Sequence, residues 1–169
     1  MSRRVIIDSL VFARGNGSLQ GELPVADLAR VLDLLADSVG NLVYRVQGQM
    51  GLPGSGVSNS KSRPQLVLEV DGALSVRCQR CLDGIDYPVR IRSLLELIGD
   101  EEELTQEEIE DDAKDFLVAQ KELDVVALIE DEIILDLPAA PRHENCVLPD
   151  SGERSEELSP FSVLKGRVR

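Results

Sequence analysis

The chain has 169 residues, 43 % of them hydrophobic and 3 % aromatic, which predicts a single domain with an aliphatic core. Its net charge is −13 and its Lys and Arg residues form no broad cluster, which argues against a phosphate-binding face large enough for tight duplex binding. Three cysteines are too few for a disulfide framework, Asp8 interrupts the apolar N-terminal run, and no apolar run is long enough to cross a membrane, so we expect a cytoplasmic protein.

The negative charge is concentrated in one part of the chain. Residues 100–136 contain 16 acidic and 2 basic side chains, whereas residues 1–99 contain 10 acidic and 11 basic ones, and residues 137–169 contain 5 of each. A run of like charge is usually a solvent-exposed surface or an interaction segment. The acidity is therefore a property of one block in an otherwise neutral chain.

The first part of the chain predicts two short strands and one helix. Residues 5–12 are apolar enough for a strand, and a turn at Arg14-Gly15-Asn16-Gly17 separates them from an extended segment at residues 18–23. From Pro24, which suits the first turn of a helix, apolar side chains recur at helical spacing as far as Gly40-Asn41. An amphipathic helix is therefore predicted here, with the apolar positions Val25, Leu28, Leu32, Leu35 and Val39.

Alternating apolar side chains predict strands in the middle of the chain. The alternation covers residues 41–47, residues 66–78 with a bulge or tight turn at Asp71-Gly72, and residues 85–92. Between the first two of these, residues 51–63 are rich in Gly and Ser, which predicts a flexible hairpin connection. Consecutive strands joined by short turns indicate an antiparallel meander.

The acidic block predicts further helical structure. Within residues 100–115, Thr105 and Glu108 have the spacing of a capping box, so we expect either a short acidic helix or a solvated acidic loop. Asp124 is placed to cap a second helix, which Pro138 ends. Acidic residues lie around this helix, which indicates that it is covered on more than one side.

Together these patterns predict an α+β fold. It comprises an antiparallel β-sheet or partial barrel, two main helices and an acidic insertion, all within one domain spanning residues 1–169. Flexibility is expected in the loop 51–63, the acidic segment 100–115 and the polar tail 147–169.

All the soft metal ligands of the chain fall into two short motifs, Cys78-Gln79-Arg80-Cys81 and His143-Glu144-Asn145-Cys146. A three-residue spacing on a turn lets both side chains of a pair bind one ion, so the two pairs form a Cys₃His set suited to a tetrahedral structural zinc. Cys78, Cys81, His143 and Cys146 are therefore the candidate Zn²⁺ ligands. The alternatives are a buried Cys78 thiol with His143 on the surface, or a redox pair of Cys78 and Cys81. The strand that follows disagrees with the βαβ context of a thioredoxin-like pair.

The remaining side chains do not indicate catalysis. The carboxylates come as runs without a partner histidine, and the Gly-rich residues 51–56 lack the Lys and the following helix of a phosphate-binding loop. Since His143 is the only histidine, no Ser/His/Asp arrangement is expected. We therefore predict that the protein is not an enzyme.

Four motifs occur in a distinctive order along the chain: Cys78-Gln79-Arg80-Cys81-Leu82, Glu130-Asp131-Glu132-Ile133-Ile134-Leu135-Asp136-Leu137-Pro138, His143 with Cys146, and Pro160-Phe161-Ser162-Val163-Leu164-Lys165. In this order they resemble the YceD family, the large ribosomal RNA subunit accumulation proteins. The resemblance extends from Gly21-Glu22-Leu23-Pro24 to the C-terminus. It departs at Ser159, where the family commonly has Asn before the Pro-Phe pair.

The resemblance implies a cytoplasmic factor for the synthesis, processing or stability of large-subunit (23S) ribosomal RNA. Because the chain is acidic, we expect it to act through a basic ribosomal protein or assembly factor. Candidate partner-binding residues are Glu130, Asp131, Glu132 and Phe161. The alternative is a direct RNA-binding module around the cysteine hairpin, with the candidate residues Arg77, Arg80, Arg90 and Arg92.

Overall fold

The computed structural model describes residues 4–51, 62–99, 104–111 and 115–148. Its helices and strands follow in the order β1 (Ile6–Ile7), α1 (Ser9–Arg14), β2 (Ser18–Pro24), β3 (Asn41–Met50), β4 (Pro64–Arg77), β5 (Gly84–Ile98), α2 (Gln106–Ile109), β6 (Asp115–Val118), β7 (Leu123–Asp124) and α3 (Val125–Asp136). Two 3₁₀ turns, Val25–Asp27 and Leu32–Leu34, lie between β2 and β3.

A five-stranded sheet in the order β2-β3-β4-β5-β6 forms the centre of the fold. The strands β3, β4 and β5 form the predicted antiparallel meander. The extended segment β2 joins it antiparallel to β3, and β6, which was not predicted, runs parallel to β5. The sheet is open, so the α+β class is confirmed and the barrel-like closure is not seen in the described residues. A second small sheet pairs β1 with β7.

One face of the large sheet is buried, and the other faces solvent. Leu42, Tyr44 and Val46 of β3 alternate with exposed neighbours, as the period-two pattern predicts. They pack with β4, β5 and α3 in one aliphatic core. At Gly48 the strand is crossed by α1 so closely that a Cβ would lie 2.5 Å from the carbonyl oxygen of Phe12. That position therefore requires glycine.

The predicted strand over residues 5–12 is wrong beyond Ile7. Asp8 caps a helical turn instead, because its carboxylate accepts a hydrogen bond from the backbone N–H of Val11 at 3.0 Å. The apolar composition of this segment suited either a strand or a buried helix. The capping residue Asp8 is the feature that distinguishes the two.

The predicted amphipathic helix over residues 25–39 is also wrong. The chain makes two 3₁₀ turns there, and Val39, on the predicted buried stripe, is 80 % exposed. Contacts with distant elements replace the helical hydrogen bonds: the N–H of Arg30 donates to the Glu130 carboxylate at 2.8 Å, and the N–H of Ala36 donates to the carbonyl of Ser75 at 2.7 Å. Tertiary hydrogen bonding has overridden the local periodicity.

The Asp71-Gly72 pair lies inside β4, so the predicted bulge or tight turn is wrong. The register with β5 runs through it residue by residue without interruption, whereas the pairing with β3 ends at Asp71. A Cβ on Gly72 would lie 2.5 Å from the side chain of Leu42, so the glycine allows close approach between neighbouring strands.

The predicted helix after Asp124 is present, and of the two alternatives for the acidic segment the short helix is found. Thr105 and Glu108 form both hydrogen bonds of a capping box at α2, which ends at Ile109. Asp124 caps α3, where its carboxylate accepts from the N–H of Val126 at 3.0 Å. The helix α3 buries one broad face, which includes Glu130 together with apolar residues, while Asp131 and Leu135 are exposed, so the expected cover on more than one side is not seen in the described residues. None of the helices in the described ranges is long and apolar enough to span a membrane.

Much of the three segments predicted to be flexible lies outside the described residues. This applies to 52–61 of the loop, to 100–103 and 112–114 of the acidic segment, and to 149–169 of the tail. At the described ends of the loop, the N–H of Gly51 donates to the carbonyl of Arg63 at 2.8 Å. The loop therefore connects β3 and β4 as a hairpin.

Candidate metal centre

The turn between β4 and β5 presents the first cysteine pair. It is closed by two backbone hydrogen bonds, from the N–H of Cys78 to the carbonyl of Asp83 at 2.8 Å and from the N–H of Leu82 to the carbonyl of Cys78 at 3.0 Å. Leu82 has a φ of 69°, a left-handed conformation that non-glycine residues adopt at a cost. The chain thus accepts local strain to place Cys78 and Cys81 on one tight turn.

The segment after α3 brings the second pair to this turn. The N–H of Gln79 donates to the carbonyl of Pro141 at 2.8 Å, and a guanidinium nitrogen of Arg80 donates to the carbonyl of Cys146 at 3.0 Å. Nearer the helix, the hydroxyl of Tyr87 donates to the backbone carbonyl of Asp136 at 2.9 Å. The C-terminal segment is therefore bound along its described length to β5 and to the cysteine turn.

All four predicted ligands meet in one cluster. The ligand atoms of Cys78, Cys81, His143 and Cys146 lie within 4.8 Å of one another. The Sγ atoms of Cys78 and Cys146 are 3.7 Å apart, and the Sγ of Cys81 is 3.3 Å from Nδ1 of His143. Cys78 is fully buried and the other three are half-buried. The fold has thus joined two motifs that are far apart in the sequence.

The geometry of the cluster fits a tetrahedral zinc. Zn–S bonds of about 2.3 Å in a tetrahedron place two sulfurs roughly 3.8 Å apart, close to the 3.7 Å between Cys78 and Cys146. The widest separation of 4.8 Å needs to shorten by about 1 Å to match the same bond lengths. Three sulfurs and one imidazole nitrogen are the donors of a closed structural zinc site.

Groups around the cluster orient the ligands. Nε2 of His143 lies 3.1 Å from the carbonyl of Gly84, so the tautomer that donates there leaves Nδ1 free to face the sulfurs. The N–H of Arg80 donates to Sγ of Cys78 at 3.4 Å, which stabilises negative charge on that sulfur. These contacts were not predicted, because backbone donors and acceptors leave no signal in the side-chain pattern.

The thiols compete for negative charge in the cluster. Burial opposes ionisation of Cys78, but hydrogen bonds from the backbone, led by those of Cys81 and His143, outweigh it and lower the Cys78 pKa to about 5. At Cys81 the backbone hydrogen bond from Asp83 favours the thiolate, but burial and the Cys78 and Cys146 sulfurs outweigh it and raise the pKa to about 11. A divalent cation would relieve this competition by stabilising all three thiolates together.

The same values argue against thiol catalysis. A reactive cysteine combines a lowered pKa with access to solvent. Cys78 has the lowered pKa but no exposed surface, while the more accessible Cys81 has a raised pKa. The two requirements fall on different residues.

The arginines predicted to bind RNA lie around the turn and on the exposed sheet face. Guanidinium nitrogens of Arg77 and Arg80 donate to the backbone carbonyls of Leu35 and Cys146 at 2.9 and 3.0 Å. Arg92, with a side chain 78 % exposed, lies 3.7 Å from Glu69. Arg90 is exposed. RNA binding by this set stays a prediction.

The acidic residues predicted to bind a partner contact the chain itself. The carboxylate of Glu130, which is only 5 % exposed, accepts from the N–H of Arg30, and Asp131 forms an ion pair with the Arg30 guanidinium. Glu132 accepts a hydrogen bond from the hydroxyl of Ser93. These contacts hold α3 to the 3₁₀ segment and to β5. Partner binding at these three residues stays a prediction, and Phe161 lies outside the described residues.

Comparison with known families agrees with this architecture. Residues 66–166 match the family of the large ribosomal RNA subunit accumulation protein YceD. The chain belongs to the YceD family. The matched range includes the cysteine turn, α3, and the second ligand pair of the metal cluster. YceD proteins are named for the accumulation of large-subunit ribosomal RNA and not for an enzymatic reaction. Neither the curated proteins nor the solved structures give a significant match to the chain.

Proposed function

We propose that this protein is a zinc-stabilised, non-catalytic factor that supports synthesis, processing or stability of 23S ribosomal RNA by binding a basic ribosomal protein or assembly factor. Its membership of the YceD family supports the link to large-subunit ribosomal RNA. The meeting of Cys78, Cys81, His143 and Cys146 in one cluster supports the zinc. The single observation on which the zinc proposal depends is this cluster of four.

The role of the zinc in this proposal is structural. Three thiolates and one imidazole fill a tetrahedral zinc and leave no coordination position for substrate. The ligands come from the β4–β5 turn and from the segment after α3. The metal would therefore join the C-terminal segment to the sheet and contribute directly to folding free energy.

Charge supports a protein partner over bare RNA. Residues 100–136 contain 16 acidic and 2 basic side chains, so this block repels a polyanion and attracts a basic protein. Arg77 and Arg80, two of the candidates for RNA contact, already donate to backbone carbonyls. Phosphate binding by those two side chains would compete with contacts that hold the cysteine turn in place.

Affinity purification from cells at low salt tests the partner. The expected result is co-purification of a basic ribosomal protein or assembly factor that decreases steeply as salt is added. Replacing exposed acids of the acidic block (Glu110→Gln, Asp115→Asn and Glu122→Gln) should weaken capture. The matched control replaces exposed acids outside the block (Asp33→Asn, Asp86→Asn and Glu144→Gln). Tight, salt-dependent binding of bare ribosomal RNA, lost in Arg90→Glu with Arg92→Glu, would contradict the proposal.

A further inference from the structure

The strand β2 pairs on one side only. Its partner is β3, and no other described strand pairs with it. The N–H of Gly48 donates to the carbonyl of Gly17, and the N–H of Val25 donates to the carbonyl of Gly40, so odd-numbered residues of this segment direct their backbone groups toward β3. The backbone N–H and C=O groups of Ser18, Gln20 and Glu22 therefore point to the free edge.

Clefts lie on both sides of this edge. On the solvent-facing side of the sheet, a cleft of about 540 Å³ is lined by β2, β3 and β4. On the core side, a cleft of about 510 Å³ is lined by the aliphatic residues Val5, Leu19, Leu23 and Val126 together with polar residues such as Gln20 and Asn41. A strand added to β2 would direct successive side chains alternately into the two clefts.

Tyr44 lines both clefts. The residue is 7 % exposed, and because none of the buried side-chain polar atoms in the described residues lacks a hydrogen-bond partner, its hydroxyl, which has no partner among those residues, is accessible to solvent. It approaches β2 at Gly21, where a Cβ would lie 2.9 Å from the hydroxyl oxygen. A hydroxyl bonded only to water can exchange that water for a polar group of a ligand bound along the edge.

The charge at the edge favours a basic ligand. Glu22, Glu69 and Asp71 line the solvent-facing cleft, where Arg45 is the only basic residue in the described lining, while Glu69 also lies 3.7 Å from Arg92 outside it. Asp27 lines the cleft on the core side. A basic side chain would therefore meet a net negative charge on the solvent-facing side, and the core side offers aliphatic side chains together with Asp27.

We infer that the free edge of β2 binds an extended segment of a partner protein in which Lys or Arg alternates with aliphatic residues. The segment adds a strand to the sheet, with its basic side chains on the same face as Glu22 and its aliphatic ones toward Leu19 and Leu23. Glu69 and Asp71, two strands further into the sheet on β4, add to the negative potential of that face. Main-chain hydrogen bonds then provide affinity, and the two clefts provide specificity. This inference rests on the proposed function, because it names the surface on which the basic partner would bind.

A second copy of the chain fits this edge less well. Pairing two β2 edges would bring the carboxylates of one cleft close to those of the other, and like charges across strands are destabilising. The net charge of −13 acts in the same direction, because it attracts a basic segment and repels a second acidic copy.

Short synthetic peptides test the inference on the full chain. The probe alternates Lys and Val; one control has the same residues in two blocks, and another has Glu in place of Lys. Fluorescence anisotropy should show salt-sensitive binding of the alternating peptide, roughly tenfold tighter than the blocked one because the latter cannot fill both clefts. Equal affinity for the alternating and blocked peptides, or no binding of either, would overturn the inference.

Two substitutions test the site itself. Gln20→Pro removes an N–H that points to the free edge and leaves the pairing with β3 intact, so it should weaken the alternating peptide about tenfold, while Gln20→Thr should not. Tyr44→Phe removes only the hydroxyl and should weaken binding about threefold to fivefold without lowering stability. If Gln20→Pro does not fold, Tyr44→Phe remains a decisive variant. Unchanged peptide affinity in the folded variants would refute the assignment.

Two further outcomes distinguish this inference from occupation of the edge by the same chain and from the proposed function. The C-terminal sequence of the chain itself contains Lys165, Arg167 and Arg169. If replacing them with Ser raises peptide affinity, the occupant of the edge is this segment of the same chain and the partner assignment is wrong. If Gln20→Pro leaves capture of the basic partner from cells unchanged, the inference fails while the proposed function stands.

Discussion

Replacing Cys146 should show whether this residue is a zinc ligand or only packs in the fold, because the loss of a ligand affects stability only when zinc is present. In Cys146→Ser the sulfur is lost, but the backbone carbonyl that accepts from Arg80 remains. The side chain is only half-buried, so its replacement leaves no large cavity. We therefore expect Cys146→Ser to be as stable as the wild type in chelator and less stable than the wild type in zinc.

The size of the effect follows from linkage. A ligand present at 100 times its dissociation constant stabilises the folded state by about 2.7 kcal/mol. For a chain of this length, each kcal/mol raises the melting temperature by about 2–4 °C. Zinc should then raise the wild-type melting temperature by roughly 5–10 °C. The reorganisation that opposes this is limited to about 1 Å, because the ligand atoms already lie within 4.8 Å of one another.

The assay is thermal unfolding of reduced protein with and without zinc, together with elemental analysis of the metal content. The matched control is Gln79→Ser, which changes an exposed side chain on the same turn and should keep both the metal and the shift. Cys78→Ser should lose the metal and also destabilise the chelated protein, since Cys78 is fully buried. An equal loss of stability in Cys146→Ser with zinc and with chelator would refute the zinc assignment.

Three further predictions about the fold can be tested by denaturant unfolding of substituted proteins. Glu130→Ala should destabilise the protein by about 1–3 kcal/mol because the Arg30 N–H loses its acceptor. Asp131→Ala, which removes an exposed ion pair, should destabilise it by less than about 1 kcal/mol. Equal losses of stability in the two variants would contradict this role for Glu130. Gly48→Val should destabilise by about 1–3 kcal/mol or more because α1 leaves no room for a Cβ, and a neutral result would show that α1 can shift. The Arg63 guanidinium and the Thr105 backbone lower the Glu108 pKa to about 2, so Glu108 contributes stability that is present above its unfolded pKa and lost as the pH falls from about 4.5 to about 2. Because Glu108 is partly exposed, we expect the wild type to be more stable than Glu108→Gln by only roughly 1 kcal/mol. This difference should shrink as the pH falls from about 4.5 to about 2, and a difference independent of pH would contradict the prediction.

The sheet could be predicted because its determinants are local. In β3, alternation of Leu42, Tyr44 and Val46 with polar neighbours is sufficient to specify a strand with one buried face. Helix caps were also readable where a side chain meets its own backbone nearby, as at Asp124 and in the capping box at Thr105. Asp8 is a cap of the same kind, but when it is interpreted only as a break in the apolar run, α1 is missed.

The prediction of a helix over residues 25–39 was wrong because backbone N–H groups of this segment donate to distant parts of the chain. Val25, Leu28 and Leu35 are buried as the periodicity requires, but buried spacing of three and four residues is also compatible with successive 3₁₀ turns. The acceptor that holds the Arg30 N–H belongs to Glu130, which is 100 residues away in sequence. Local periodicity carries no information about such a contact. The edge of β2 and the Tyr44 hydroxyl escaped prediction for the same reason.

The candidate metal centre shows where sequence spacing is informative over a long distance. Each Cys/His pair alone is a weak signal, but the two pairs use all four of the soft ligands in the chain, and the fold brings them within 4.8 Å. The helix α3, which precedes the segment of the second pair, has its own contacts with the rest of the fold. The Tyr87 hydroxyl of β5 donates to the carbonyl of Asp136, and the Arg30 N–H of the 3₁₀ segment donates to Glu130. Loss of zinc should therefore loosen the segment after α3 first, while the contacts of Tyr87 and Glu130 keep the helix on the sheet. Hydrogen exchange of the chelated protein should show faster exchange at Gln79, whose N–H binds Pro141, and unchanged protection at Arg30.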